Sequence, residues 1–106
     1  NTLNVLSTRS TKTVTYKKDC DALGQYYKIK ATYTINGKKI VRAKSSSIIR
    51  KAAANADNVS LTNIGKVQYS YLDSMRTLGV KYNAKVHFKS IYGMPTTIYA
   101  EFNYNG

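Results

Sequence analysis

The feature that most constrains the fold of this chain is a hydrophobic period of two. Between Tyr26 and Ile35, apolar side chains occupy every odd position, whereas lysine and threonine occupy most even positions. Successive side chains of a β-strand point to opposite faces, so this alternation predicts a strand with one buried and one solvated face. Asn36-Gly37 follows as a turn signal, and residues 38–47 return as the partner strand of a hairpin.

Two registers are open for this hairpin. A two-residue loop of Asn36-Gly37 pairs Ile35 with Lys38 and brings Arg42 to the apolar face. A three-residue loop with Gly37 in the left-handed conformation pairs Thr34 with Lys38 instead. We favour the second register because it moves Arg42 to the solvent face. In that register Val41 and Ala43 lie on the core face, and Ile40 joins the outer face.

The C-terminal part of the chain shows the same alternation. It is cleanest from Val80 to Tyr92, and a turn at Gly93-Met94-Pro95 leads into a return strand over residues 98–104. A strand over residues 67–71 precedes this pair, and the turn between them is expected at residues 77–79. Together these segments predict a three-stranded antiparallel meander.

The remaining segments complete a predicted all-β chain. Val14 and Tyr16 mark one more strand, and residues 3–6 mark a weaker one. Ser47 is a candidate N-cap for a short helix in the alanine-rich residues 47–58, for which a long loop is the alternative. We predict a single domain over residues 1–106. It is an antiparallel two-sheet sandwich, immunoglobulin-like or a small barrel, with six to seven strands.

Composition restricts the chemistry open to this chain. One cysteine excludes an internal disulfide, and one histidine excludes the usual zinc sites of cysteine and histidine. Cys20 lies between Asp19 and Asp21, which disfavours a thiolate, so we expect an inert thiol in a turn, with an intermolecular disulfide as the alternative. His87 is expected to face Glu101 in a surface ion pair. No arrangement is typical of catalysis, and we expect no enzyme activity, no cofactor and no metal site.

Positive charge is concentrated in the first half of the chain. The sequence has 17 Lys and Arg residues against 5 Asp and Glu, a net charge of +12. Residues 1–53 hold 12 cations and 2 acids, a net charge of +10, whereas residues 54–106 have a net charge of +2. Like charges directly opposite each other destabilise a sheet, so such a surface either serves an anionic partner or keeps an exposed strand soluble. In the favoured register Lys30 faces Arg42, Lys28 faces Lys44, and Lys38 lies on the same surface; these five are the candidate anion-binding residues.

The 10 tyrosines bear on which anion is bound. By parity only Tyr26 and Tyr99 point outward, so base stacking on exposed aromatic rings is not favoured. Lysine outnumbers arginine 13 to 4, which fits diffuse attraction to an anionic polymer or membrane surface better than bidentate reading of phosphates. A nucleic-acid-binding module is the second choice, and an assembly subunit that pairs through an edge strand is the third. The tyrosines expected on apolar faces are Tyr16, Tyr27, Tyr33, Tyr69, Tyr71, Tyr82, Tyr92 and Tyr104.

The segment from Tyr27 to Val41, YKIKATYTINGKKIV, resembles a hairpin that recurs in small secreted proteins of Gram-positive bacteria. In that group a signal peptide precedes a β-sandwich with a long strand, an Asn-Gly turn and a serine-rich return strand. The resemblance implies export and a sandwich fold, and it transfers no functional residue. We therefore expect an extracellular or cell-surface protein that is cationic, non-enzymatic and bacteriocin-like or toxin-like.

Overall fold

Seven strands in two antiparallel sheets make up the part of the chain that the structure describes. The computed structural model describes residues 11–22, 25–50, 59–88 and 93–106. The sheets have three and four strands and form an open sandwich rather than a closed barrel, which confirms the predicted all-β architecture. Among the described residues, no helix has the length and hydrophobicity needed to cross a membrane. The strands are β1 (Thr11–Ala22), β2 (Gln25–Asn36), β3 (Lys39–Arg50), β4 (Val59–Thr62), β5 (Gln68–Leu72), β6 (Thr77–Phe88) and β7 (Met94–Phe102).

The first sheet, sheet A, is a meander of β1, β2 and β3. β1 and β2 pair without interruption over all 12 residues of each strand. β2 and β3 are joined by a two-residue turn of Gly37 and Lys38, in which Gly37 has a φ of 61°. A glycine with positive φ at the first turn position is the type II′ pattern, which matches the twist of the flanking strands.

This turn differs from both predicted registers of the hairpin. Ile40 lies on the buried face opposite Ile35, whereas the favoured register placed Ile40 outside. Two bulges follow in β3, because Val41 and Lys44 each have no opposite residue in β2. Val41 is therefore exposed rather than on the core face, while Ala43 still packs against the core. Parity carried along β3 from the turn was wrong because each bulge reverses it.

The second sheet, sheet B, is built around β6. β7 pairs with one side of β6, and β4 and β5 follow each other along its other side. Residues 63–67 connect β4 to β5 opposite only three residues of β6, and the Gly65 N–H donates to the Asn83 carbonyl oxygen at 2.8 Å. The meander of β5, β6 and β7 is confirmed, while β4 was not predicted.

Several predicted turns are wrong in position. The turn before β6 lies at residues 73–76 rather than 77–79, and Met94 and Pro95 belong to β7 rather than to a turn. Gly79, the turn signal in the sequence, instead lies within β6, where the Tyr99 ring crosses it and leaves no room for a side chain. A Cβ at Gly79 would lie 2.6 Å from the Tyr99 hydroxyl oxygen.

The predicted helix does not begin at Ser47. Ser47 lies in β3 opposite Lys30, and the strand continues to Arg50. The serines before it extend a strand that is already paired with β2, and this pairing outweighs the capping signal. Residues 51–58 and the predicted strand at residues 3–6 lie outside the described residues.

The core between the two sheets is rich in tyrosine. Tyr27 and Tyr33 are fully buried, and the Tyr33 ring lies 6.2 Å from that of Tyr16 and 5.9 Å from that of Phe102. The Tyr33 hydroxyl donates to the Asn103 carbonyl oxygen at 2.6 Å. Burial, and secondly the neighbouring Tyr16, raises the pKa of Tyr33. The buried side chains are Tyr27, Ile29, Ala31, Tyr33, Ile35, Ile40, Leu78, Val80, Tyr82, Ala84, Val86, Ile98, Ala100 and Phe102.

Most of the parity assignments of tyrosine are confirmed. Tyr16 and Tyr69 pack against the core, while Tyr26 and Tyr99 are exposed as predicted. The predictions for Tyr71 and Tyr104 were wrong, because both side chains are exposed near the end of the sandwich. Tyr92 lies outside the described residues.

Candidate anion-binding face

Sheet A presents a broad polar face to solvent. It arises because the even-numbered residues of β2 alternate with the buried odd-numbered ones from Tyr27 to Ile35, and the residues opposite these even positions on β1 and β3 face outward too. We call this surface the basic face. Its cations are Lys17 on β1, Lys28 and Lys30 on β2, and Lys39 and Arg42 on β3, and its hydroxyls belong to Thr11, Thr13, Thr15, Thr32, Thr34, Ser45 and Ser47.

The predicted pairing of cations across β2 and β3 is wrong. Lys30 lies opposite Ser47, and Lys28 lies opposite Ile49, because the turn and the two bulges shift the register. Arg42 lies opposite Thr34, four residues along β2 from Lys30, which is about 14 Å along the strand. The candidate residues therefore share a surface without forming the expected pairs.

The other two predicted anion-binding residues lie beside the basic face. Lys44 is the exposed residue of the second bulge in β3. Lys38 lies in the turn, with its Nζ atom 6.0 Å from the centre of the Tyr104 ring, at the outer limit of a cation–π contact. Neither contributes to the centre of the face.

A pair of like charges that sequence reasoning missed lies at that centre. Lys17 of β1 is directly opposite Lys30 of β2, and Ser47 completes their row across the sheet. The signal was present in the sequence, since Lys17 continues the outward alternation of Thr13 and Thr15. Only the register of β1 against β2 places it beside Lys30.

The neighbouring row contains an acid. Asp19 lies opposite Lys28, and its Oδ1 atom is 3.4 Å from the Lys28 Nζ atom. Both side chains are substantially exposed, so this ion pair contributes at most about 1 kcal/mol to folding. Its main effect is to offset the charge of Lys28, which leaves the Lys17 and Lys30 row as the most positive part of the centre.

A shallow depression adjoins this row. It has a volume of 200 Å³ and is open to solvent. Its walls provide one ammonium group together with hydroxyl donors, the groups that bind phosphate or carboxylate oxygens by hydrogen bonds. The lining residues are Lys30, Thr32, Ser45, Ser46 and Ser47.

The predicted pairing of His87 with Glu101 is wrong. The register of β6 and β7 places Glu101 opposite Gly79, and the Glu101 Oε2 atom accepts a hydrogen bond from the Tyr99 hydroxyl at 2.7 Å. His87 instead has its Nδ1 atom 2.8 Å from the Thr62 Oγ1 atom. Partial burial of Tyr99, followed by its hydrogen bond to Glu101 and the charge of that carboxylate, raises the pKa of Tyr99 to about 12.

Cys20 lies in a strand rather than in the predicted turn. It belongs to the inner face of β1, opposite Tyr27, and packs half-buried against the core. Within the ranges that the structure describes, no three His, Cys, Asp or Glu side chains gather in a way that would hold a metal ion.

Comparisons of this chain with protein-family models, with curated proteins and with solved structures found no match. What the protein does is therefore argued from its own residues, above all from the basic face.

Proposed function

We propose that this is an extracellular, non-enzymatic cationic protein that associates with anionic cell-surface polymer through its basic face. The observation that carries the proposal is the position of Lys17 opposite Lys30 beside the hydroxyl-lined depression. A bacteriocin-like or toxin-like factor would use such association to concentrate on its target cell.

The lysine pair is unfavourable in the unbound protein. Two like charges directly opposite in a sheet destabilise it, so the unbound protein is less stable with both lysines than without one. An anionic group placed between the two ammonium groups adds two attractions that outweigh their mutual repulsion. The hydroxyls of Ser45 and Ser47 then supply donors to the same anion.

A polymer fits this surface better than a single small anion. The cations are distributed along the strands, with Arg42 about 14 Å from the Lys30 row, so repeating charges engage several of them at once. Tyr26 lies at the end of the basic face, and the exposed Tyr99 lies on sheet B. The surface therefore favours a phosphate or carboxylate polymer over the stacked bases of a nucleic acid.

Retention on immobilised teichoic acid across a salt series tests the proposal. Lys17→Gln combined with Lys30→Gln is expected to weaken retention roughly tenfold, because two adjacent charges are lost. The matched control is Lys81→Gln with Lys85→Gln, which removes the same charge from sheet B and is expected to weaken retention only about twofold. Equal losses in the two double variants would contradict a site on the basic face.

A gain-of-affinity variant tests the same surface in the opposite direction. Asp19→Asn removes the acid that offsets Lys28, so retention is expected to rise about two- to threefold while stability changes little.

A single-stranded oligonucleotide added as competitor distinguishes the nucleic-acid alternative. If it displaces the protein at a lower phosphate concentration than teichoic acid does, the polymer proposal is wrong.

A further inference from the structure

Two turns meet at one end of the sandwich. The Ile40 N–H donates to the Met75 carbonyl oxygen at 2.6 Å, which joins the start of β3 to the turn at residues 73–76. The molecule measures 64 by 21 by 19 Å, so the end of its long strands is narrow. We call this end, formed by the turns at residues 37–38 and 73–76, the tip.

Apolar side chains are exposed together at the tip. Val41 is 45% exposed at the first bulge of β3, and Met75 is 40% exposed in the opposing turn. Both line an open cleft of 430 Å³, whose floor is the buried Ile40. Adjacent exposed apolar groups mark a surface that meets an apolar partner. The cleft is lined by Asn36, Lys39, Ile40, Val41 and Met75.

The backbone at Met75 is held in an unfavourable conformation. Asp73, Ser74 and Met75 have φ values of 53°, 52° and 69°, a run of left-handed residues without glycine. Side chains with a Cβ are disfavoured there, and such strain persists only where the surrounding contacts impose it. The bond from Ile40 is one such contact, and its consequence is that the Met75 side chain stays beside Val41.

Cations lie next to these apolar residues in the chain, and Lys39 lines the cleft with them. Lys38 and Lys39 lie at the β2–β3 turn, Arg42 lies on the next exposed position of the basic face, and Arg76 closes the other turn. Asp73 is the acid of the tip, so these groups together have a net charge of +3. Apolar side chains with lysine and arginine beside them suit the boundary between acyl chains and anionic headgroups in a bilayer, because the apolar groups enter the acyl region while the cations contact the headgroups.

We propose that the tip inserts into the headgroup region of an anionic lipid bilayer, with Val41 and Met75 reaching the acyl boundary. The proposal goes beyond the proposed function, since it adds a lipid surface to the anionic polymer at the cell. The basic face runs along the strands away from the tip. Lys39 and Arg42 belong to both, whereas Lys17 and Lys30 belong only to the basic face, and Val41 and Met75 only to the tip.

Tryptophan fluorescence provides a direct test because the chain contains no tryptophan. Val41→Trp puts a reporter at the tip. Met94→Trp is the matched control, since Met94 is 43% exposed and lies opposite Val86, about 27 Å along β6 from the end that pairs with Phe102. The probes are vesicles of equimolar phosphatidylglycerol and phosphatidylcholine, and vesicles of phosphatidylcholine alone.

With the anionic vesicles we expect a blue shift for the tryptophan at position 41, together with quenching by brominated acyl chains. We expect neither effect at position 94, and neither effect at either position with phosphatidylcholine alone. In the tryptophan-free chain, Val41→Thr with Met75→Asn is expected to weaken sedimentation with anionic vesicles roughly tenfold. Asparagine suits position 75 because it tolerates positive φ.

The outcomes separate the two proposals. If the protein sediments with anionic vesicles but the reporter at position 41 shows no shift, insertion is wrong and the basic face alone makes the contact. If Val41→Thr with Met75→Asn loses no vesicle binding, insertion is equally wrong while teichoic acid retention still stands. Teichoic acid retention that is unchanged by Lys17→Gln combined with Lys30→Gln overturns the proposed function itself.

Discussion

The outer faces of the two sheets differ in how their polar groups are used. On sheet B, Tyr99 donates to Glu101 at 2.7 Å, the Thr97 hydroxyl donates to the Asn83 side-chain oxygen at 3.1 Å, and Thr62 contacts His87. On sheet A, Thr15 and Thr32 lie 2.8 Å apart through their hydroxyl oxygens and Asp19 pairs with Lys28, but the centre of the face is a lysine pair. A surface whose polar groups bond to one another serves the fold, whereas one that places like charges together offers them to an external anion.

The largest expected effect comes from removing the aromatic cover of sheet B. Tyr99→Ala loses the bond to Glu101 and the contact of the ring with Gly79, so the free energy of unfolding should fall by about 1–2 kcal/mol. The matched change on sheet A, Tyr26→Ala, should cost less than about 0.5 kcal/mol because Tyr26 is 59% exposed. Urea unfolding at neutral pH measures both. Similar losses would show that the two faces do not differ in this way.

Alkaline pH should weaken the fold through the same tyrosine. The pKa of Tyr99 is raised from 10.0 to about 12, so between these values the unfolded chain releases a proton that the folded chain keeps. The contribution is complete below pH 10 and is lost as the pH rises towards 12. The raised pKa of Tyr33 acts with the same sign. Thermal melts from pH 8 upward should show a shallower decline for Tyr99→Phe than for the wild type, and parallel declines would count against the assignment to Tyr99.

The smallest expected effect sharpens the contrast between the faces most. Lys30→Gln relieves the repulsion from Lys17, so it should raise the free energy of unfolding by a few tenths of a kcal/mol at low salt. Lys85→Gln, opposite Pro95 on sheet B, should leave it unchanged. The gain should shrink in high salt, since screening weakens the repulsion. A loss of stability in Lys30→Gln would mean that Lys30 serves the fold rather than a partner.

Local pattern was sufficient for the strands and for much of the core. The odd-numbered residues of β2 from Tyr27 to Ile35 are buried as the alternation predicted, and β5, β6 and β7 follow one another as a meander. Each of these predictions depends on side chains a few residues apart, where the two-residue period of a strand applies directly. The period failed where it was carried through a bulge, at Val41 and Lys44.

The candidate site was likewise predicted only in part. The placement of Lys28 and Lys30 on a solvent face follows from β2 alone, and parity puts Lys17 on the solvent face of β1. Their neighbours could not be predicted, because the register of one strand against another depends on turn geometry and on contacts between distant segments. The shift from Arg42 to Ser47 opposite Lys30 follows from the type II′ turn and the bulges.

The amino-acid sequence by itself determined that this chain forms strands, which side of β2 is buried, and that its positive charge is concentrated in the first half. The tertiary structure decided which side chains are adjacent. It places Lys17 beside Lys30, Lys28 beside Asp19, and the apolar Val41 and Met75 at one cleft. The physical reason is that burial of a side chain is set by its own hydrophobicity and period. Its partners across a sheet are instead set by where the whole strand must shift to bury Ile40 and the core around it.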